Sequence, residues 1–340
     1  MRKLFTASLF VLVCLLALLG DAVLAKKGVP ESLNIFSQPL SLDRDKPAQT
    51  RFDKLEWIGT IRLTAEPKKF GGFSALAIST DGKEILALSD NAHWLRASLT
   101  YENGRPDRVI NARMGKLSGL GGKKLQGKSE RDAEGMALIP NKDLTGTAYI
   151  SFERKHRIAM HKLTKNNIGP ARHFLKLPKL ARSAKGNSGL EAITKLRAGP
   201  AKGALLAFTE DYLDKDGDHV GWLLGSGKPK MLSLKRIGGF SVTDMTSLDN
   251  GDVIVLERRF RFSEGVKMRL RRILASEIRG GATISGEVLF KADQLFEIDN
   301  MEGIASHTDA KGRTILTIIS DDNFNRTFQR TLLMQFAIVE

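Results

Sequence analysis

Cysteine is nearly absent from this sequence, since Cys14 is the only one among 340 residues. A single cysteine excludes an intramolecular disulfide and any zinc site built from thiolates. The sequence also lacks a Gly-x-Ser-x-Gly motif, so it does not indicate a serine nucleophile elbow. The six histidines follow no metal-binding spacing, and His93, just after Asp90, is the best candidate among them for a place near the acidic positions described below.

Long apolar runs are confined to the N-terminus. Arg2 and Lys3 precede an apolar stretch over residues 4–19, and Val23 and Ala25 are small residues spaced as at a cleavage site. This pattern predicts a secretory signal peptide over residues 1–25, with cleavage near Ala25, and therefore a periplasmic or secreted protein. An uncleaved anchor helix is the alternative, although the apolar run is short for a membrane span.

Acidic residues are outnumbered by basic ones, with 38 Asp and Glu against 53 Lys and Arg, for a net charge of +15. This excess permits attachment to an anionic envelope polymer or a lipid surface, and it is equally compatible with a simple gain in solubility. No motif indicates binding to a specific nucleic acid, and we expect a monomer. The hydrophobic share of 42% is that of a globular protein.

One pattern recurs five times along the chain. Each unit has a short apolar strand that begins with a small or acidic residue, then a turn, then an apolar strand that ends in an acidic residue. The repeats are anchored at positions 74, 134, 191, 244 and 302. Further short strands follow, two in each of the first four units and one in the fifth.

Units of four short strands and about 50 residues are typical of the blades of a β-propeller. The sequence therefore predicts an all-β propeller of five four-stranded blades. Because the fifth unit lacks a strand, we predict that the N-terminal strand over residues 56–63 completes it and closes the ring. The predicted organisation is an extension over residues 26–54 and one propeller domain over residues 55–340. Six blades and an unrelated β-sandwich are the alternatives.

Carboxylates recur at two positions of the repeat. Neighbouring strands in a blade are antiparallel, so the start of the innermost strand and the end of the second strand lie at the same mouth of the central channel. We therefore predict that acidic side chains converge at this mouth. The first position holds Glu134, Glu191, Asp244 and Glu302, with Ser74 in the first unit, and the second holds Asp90, Glu153, Glu210 or Asp211, Glu257, and Asp321 or Asp322.

Crowded carboxylates raise each other's pKa unless positive charge compensates them. Converging oxygen donors suit Ca²⁺ best, and Glu134 and Glu302 are also candidate catalytic bases. The alternative is architectural, with the carboxylates capping backbone amides and pairing with arginines. The candidate metal ligands are Glu134, Glu191, Asp244, Glu302, Asp90 and Asp321.

Two other segments carry charge patterns. Residues 214–218 resemble the start of a calcium loop but lack its later glycine and glutamate, which favours a hairpin turn. Residues 115–131 are rich in glycine and lysine and predict a mobile, poorly packed lid that binds an anionic substrate; a solvated linker is the alternative. The candidate phosphate-binding residues are Arg131, Arg154, Arg258, Lys123 and Lys124.

Short motifs in every unit carry a resemblance to a known family. They are GGFSAL at 71–76, SDN at 89–91, RDAEGM at 131–136, SFER at 151–154, NSGLEA at 187–192, LERRF at 256–260, DNMEGI at 299–304 and SDDNF at 320–324. The series resembles the bacterial phytase-like family called "esterase-like activity of phytase". The resemblance implies a secreted propeller that hydrolyses phosphoesters or carboxylesters, by analogy with calcium-dependent propeller phytases.

The leading functional hypothesis is a periplasmic hydrolase of a small anionic phosphoester. A bound cation would polarise the phosphoryl group, Glu134 or Glu302 would accept a proton, and Arg154 or Arg258 would hold the phosphate. The alternatives are a non-enzymatic propeller that binds a ligand, polymer or protein at its mouth, and a carboxylesterase that only the family resemblance suggests.

Overall fold

The computed structural model describes residues 30–183, 189–225 and 227–339. The predicted signal peptide over residues 1–25 and Cys14 lie outside the described residues. Within these ranges, no helix is both long enough and apolar enough to cross a membrane.

Five antiparallel sheets surround a central channel, which confirms the predicted β-propeller and its five blades. The innermost strands contact one another in order around the channel. From the innermost strand outward, blade 1 is Phe73–Ile78, Glu84–Ser89, His93–Glu102 and Arg105–Lys116; blade 2 is Ala133–Ala137, Gly146–Phe152, Arg157–Leu163 and Ile168–Phe174; blade 3 is Leu190–Lys195, Leu205–Leu213, His219–Leu224 and Lys230–Leu234; blade 4 is Ser241–Ser247, Val253–Arg261, Gly265–Ile273 and Glu287–Ala292; and blade 5 is Asn300–Thr308, Thr314–Asp321, Thr331–Ile338 and Leu55–Thr64.

Blade 5 combines the two ends of the chain. Its outer strand, Leu55–Thr64, pairs antiparallel with Thr331–Ile338 near the C-terminus. The N-terminal extension adds further short strands at the rim: Phe36–Leu40 and Arg51–Phe52 pair with Leu55–Thr64, and Glu31–Ser32 pairs with the outer strand of blade 1. The extension therefore covers the outer edges of blades 5 and 1. A parallel strand, Thr283–Ile284, lies beside the outer strand of blade 3.

The hydrophobic core lies between adjacent blades. Strands with alternating apolar residues place Leu86 and Leu88 of blade 1 against Ile150 and Phe152 of blade 2, all of them buried. Burying such a side chain stabilises the fold by about 1.5–3 kcal/mol. Close to the axis the innermost strands need small residues, because a Cβ added to Gly135 would lie 2.3 Å from the carbonyl oxygen of Glu191.

Within the ranges that the structure describes, helical structure is limited to short connections, the helices Gly127–Arg131 and Lys179–Ser183 and the 3-10 turns Leu120–Gly122 and Ala275–Glu277. The glycine- and lysine-rich segment 115–131 is better packed than predicted. Leu117 is buried and Leu125 packs against the core between blades 1 and 2. The prediction of a poorly packed lid is therefore wrong for the part of the segment that carries these two leucines. The segment 214–218 is the predicted hairpin turn, in which Asp214 Oδ1 accepts hydrogen bonds from the backbone N–H groups of Asp216 and Asp218.

Candidate functional site at the channel mouth

A β-bulge lies near the start of the innermost strand in every blade. In each case the pairing with the second strand skips a residue, and a bulge leaves that extra residue outside the ladder. Three of these five positions carry a glutamate. The bulge residues are Ser74, Glu134 (with Gly135), Glu191, Thr243 and Glu302.

In blade 4, the strand register is shifted by one residue from the repeat alignment that the sequence predicted. Val242 pairs with Glu257 and Asp244 with Leu256, so Thr243 occupies the bulge. Arg258 then stands where the other blades carry Asp90, Glu153, Glu210 and Asp321. The predicted equivalence of Asp244 and Glu257 with these acids is therefore wrong. Because side chains alternate across a strand, this shift turns Glu257 away from the mouth.

Asp244 belongs to neither of the close groups of carboxylates described below and stands at the position where the other innermost strands have glycine or alanine. Its Oδ2 accepts a hydrogen bond of 2.9 Å from the backbone N–H of Ile304 in blade 5. Burial raises the pKa of Asp244 well above its ordinary value. These contacts give Asp244 an architectural position between two blades.

The remaining acids form what we call the mouth cluster. Three carboxylates, those of Asp132, Glu134 and Glu153, place oxygens within 4.8 Å of one another, and so do those of Glu153, Glu191 and Glu210. Glu153 belongs to both groups and joins blades 2 and 3. The mouth cluster comprises Asp90, Asp132, Glu134, Glu153, Glu191, Glu210, Glu302 and Asp321.

The predicted candidates are thus partly brought together. Glu134 and Glu191 lie in the two close groups, whereas Asp90, Glu302 and Asp321 surround them. Asp132 was missed as a candidate, although it stands immediately before the strand that carries Glu134 and is 2% exposed.

The mouth cluster is poor in compensating charge. Burial raises the pKa of Glu153 to about 7 and that of Glu210 to about 8. The hydrogen bond from the backbone of Gly189 opposes the shift at Glu153, and the charge of Arg258 opposes it at Glu210. Burial and neighbouring carboxylates raise the pKa values of Glu134 and Glu191 well above the ordinary value. A bound cation would oppose these shifts by favouring the ionised carboxylates.

Basic side chains stand at the margins of the cluster. Lys128 Nζ lies 2.6 Å from Asp90 Oδ2 and 2.5 Å from Asp132 Oδ1, and Arg154 Nε lies 2.6 Å from Asp132 Oδ2. Within the described part of the chain, no lysine or arginine ion pair reaches Glu134, Glu153 or Glu191. The centre of the cluster therefore lacks direct compensation from these side chains.

On the opposite side, Arg258 contacts two acids. Its Nε lies 3.1 Å from Glu302 Oε1, and one of its terminal nitrogens lies 3.3 Å from Glu210 Oε1. Arg154 and Arg258, two of the candidate phosphate-binding residues, thus both contact acids of the mouth cluster.

The other basic candidates lie further out. Lys123 and Lys124 are exposed, and Arg131 donates a hydrogen bond to the carbonyl of Gly127. Lys128 belongs to the predicted lid but is not one of the candidate phosphate-binding residues, and it is the lysine of this segment that reaches the acids. Its signal was the four-residue spacing to Asp132 along a helix, which brings opposite charges together.

His93 starts the third strand of blade 1. Burial, together with the charge of Lys116, lowers the pKa of His93 to about 4, so its imidazole is neutral at pH 7. Neither group of three carboxylates includes a histidine.

The donor set fits a hard cation. Both close groups consist of carboxylate oxygens, the ligands that Ca²⁺ prefers, and they contain none of the softer donors that favour zinc or copper.

A cleft of about 750 Å³ opens beside the cluster, between blades 4 and 5. Arg258, Glu302 and Asp321 belong to both the cleft and the margin of the mouth cluster. A ligand could therefore occupy the cleft and reach the acids at the same time.

Comparisons with known proteins place these features in context. The family model described as "Esterase-like activity of phytase" matches residues 68–324. No curated protein sequence matches this chain. Among solved structures, the β-propeller domain of Cps50 from Myceliophteria thermophila is 11% identical, with a TM-score of 0.36 over 90% of this chain and 100% of that one. A Thermus thermophilus protein described as an oxidoreductase (glucose dehydrogenase) is 13% identical, with a TM-score of 0.41 over 83% of this chain and 100% of that one.

Proposed function

Since this chain belongs to the phytase-like family described as "Esterase-like activity of phytase", we propose that it is a metal-dependent phosphoester hydrolase that works at the mouth cluster. The observation that carries the proposal is the pair of three-carboxylate groups that share Glu153. Such a concentration of oxygen donors is suited to Ca²⁺, and a cation there would offset the repulsion between the acids.

The five acids of the two close groups would hold the cation. When bound, Ca²⁺ would supply positive charge that polarises a phosphoryl oxygen and acidifies a water molecule. Arg154 and Arg258, at the two margins, would hold the phosphate oxygens of the substrate by charge-assisted hydrogen bonds. The acids that would hold the cation are Asp132, Glu134, Glu153, Glu191 and Glu210.

Glu302 is better placed than Glu134 to accept a proton. It lies at the border of the cleft, outside the two close groups, and Arg258 contacts its Oε1 at 3.1 Å. Burial raises the pKa of Glu302 although Arg258 lowers it. A carboxylate with a raised pKa is a stronger base than an ordinary exposed one.

Export is part of the same proposal. The N-terminal pattern of Arg2, Lys3 and an apolar stretch that ends near Ala25 supports secretion or transfer to the periplasm. Intact mass measurement of protein recovered from the exporting cell is expected to show a chain that begins at residue 26. A chain that retains the leader would contradict cleavage.

Hydrolysis of p-nitrophenyl phosphate tests the function. After treatment with EDTA, we expect activity to be lost and to return with added Ca²⁺. Glu191→Gln should weaken the dependence on Ca²⁺ because it removes one donor of a close group, whereas Glu287→Gln, exposed on the outer strand of blade 4, is the matched control. Activity that EDTA and Glu191→Gln leave unchanged would contradict the proposal, and ligand binding without turnover would favour the binding propeller.

A further inference from the structure

The cleft between blades 4 and 5 has an aromatic wall. Phe260 comes from the hairpin that joins the second and third strands of blade 4, and Phe328 comes from the corresponding connection of blade 5. Phe296, on the connection between the two blades, completes this wall and is anchored by edge contacts with Phe52 and Phe290. The aromatic side chains therefore face one space from three separate parts of the chain.

Two of these phenylalanines are unusually accessible. Phe328 is 83% exposed and Phe260 is 59% exposed. Apolar surface of this kind is unfavourable in water, and it is often found where a ligand or partner binds. The volume of the cleft lies within the range of small-molecule sites, which combine aromatic walls with a few polar groups.

The cleft has equal numbers of basic and acidic side chains. Its lining has three arginines, Arg44, Arg258 and Arg330, and three acids, Asp299, Glu302 and Asp321. Each arginine has an acidic partner, so the lining carries no excess of positive charge: Arg44 pairs with Glu297, Arg258 with Glu302, and Arg330 with Glu297 and Asp299. A polyphosphorylated group would find no excess of positive charge here, whereas an uncharged apolar group would cover the exposed rings.

We propose that this cleft binds the organic part of the substrate and that this part is a flat, apolar group, such as an aryl group, without further phosphates. The assignment of the phosphate end to the mouth cluster rests on the proposed function. Arg258 marks the junction, because it lines the cleft and contacts two acids of the cluster. The substrate class is therefore an aryl or similarly apolar phosphoester.

Binding of two phosphonates, which are not hydrolysed, tests this assignment without reference to turnover. Titration calorimetry in the presence of Ca²⁺ should show that 1-naphthylphosphonate binds more tightly than methylphosphonate, because only the first has an aromatic group to bury. Phe328→Ala and Phe260→Ala should each weaken binding of the naphthyl compound about 5- to 30-fold, the effect of losing one or two kcal/mol of aromatic contact. Binding of methylphosphonate should not change.

Phe262→Ala is the matched control, since Phe262 lies on the same hairpin as Phe260 and does not line the cleft. Equal affinity for the two phosphonates, or an equal effect of Phe262→Ala, would overturn the proposal. If the naphthyl preference appears but no phosphoester is hydrolysed, the assignment of the cleft stands and the proposed hydrolase function fails. If hydrolysis occurs without preference for apolar esters, the function stands and this inference fails.

Discussion

Replacing Glu257 by glutamine should destabilise the protein strongly, although this residue lies away from the mouth. Glu257 binds two arginines, with Oε2 at 2.5 Å from Arg269 Nε and Oε1 in contact with Arg271. The three side chains are 0%, 1% and 0% exposed in the order Glu257, Arg269, Arg271. The substitution would therefore leave two guanidinium groups in the core of blade 4 without a counter-charge.

The expected magnitude follows from the burial of this triad. Breaking a buried ion pair by removing one partner costs about 3–5 kcal/mol, because the remaining charge has no water around it. Backbone carbonyls soften the loss, since Arg269 also donates to Ile237 and Arg271 to Lys235 and Ser285. We therefore expect the free energy of unfolding to fall by about 3 kcal/mol, the lower end of that range.

Urea unfolding at pH 7, followed by the fluorescence of the buried tryptophans, measures this difference. The control is Glu287→Gln in the same blade, where Glu287 and its partner Lys54 have side chains that are 52% and 53% exposed. An exposed ion pair of this kind contributes less than about 1 kcal/mol. If Glu257→Gln costs no more than Glu287→Gln, the reasoning from buried charge is refuted.

Three further predictions concern the ring and its mouth. In EDTA, the melting temperature should fall as the pH rises from about 5 to about 8. The reason is that Glu153 and Glu210, with pKa values raised to about 7 and about 8 in the folded state, keep protons there that the unfolded chain releases above the ordinary glutamate pKa of 4.5. Glu210→Gln should flatten this pH dependence, and an unchanged slope in calorimetry would contradict the prediction. Deleting residues 26–64 should lower the melting temperature and cause self-association in size-exclusion chromatography, because it exposes the edge of Thr331–Ile338; a monomer of unchanged stability would contradict this. Lys128→Ala should cost about 1 kcal/mol in urea unfolding, because it removes the contacts to Asp90 and Asp132, whereas the exposed Lys124→Ala should be neutral; equal effects would remove the special role of Lys128.

The blade count follows from sequence because it depends on local signals. Apolar alternation and turns such as Asp249-Asn250-Gly251 define short strands, and their recurrence at five anchors defines the blades. The positions of Glu134, Glu191 and Glu302 follow from the same periodicity. All three occupy the bulge near the start of an innermost strand.

Blade 4 shows where this reasoning fails. The segment Val242-Thr243-Asp244 offers an acid one residue after the bulge, and an alignment that seeks acids selects Asp244. The register between the strands, set by backbone hydrogen bonds across the blade, decides that Thr243 is the equivalent residue. A single sequence does not show where a bulge inserts its extra residue.

Tertiary contacts explain the other differences. The many glycines of segment 115–131 obscured the two apolar residues, Leu117 and Leu125, that fix it to the core. The aromatic wall joins Phe260, Phe296 and Phe328, which lie far apart in sequence and meet only because blades 4 and 5 are adjacent.

Titration of Ca²⁺ into EDTA-stripped protein, followed by calorimetry, tests the central claim that the mouth cluster is a cation site. We predict saturable binding by the wild type and a loss of binding in Glu153→Gln, because Glu153 belongs to both close groups. Glu287→Gln should bind as the wild type does. The absence of saturable binding by the wild type, or equal binding by Glu153→Gln, would contradict the account.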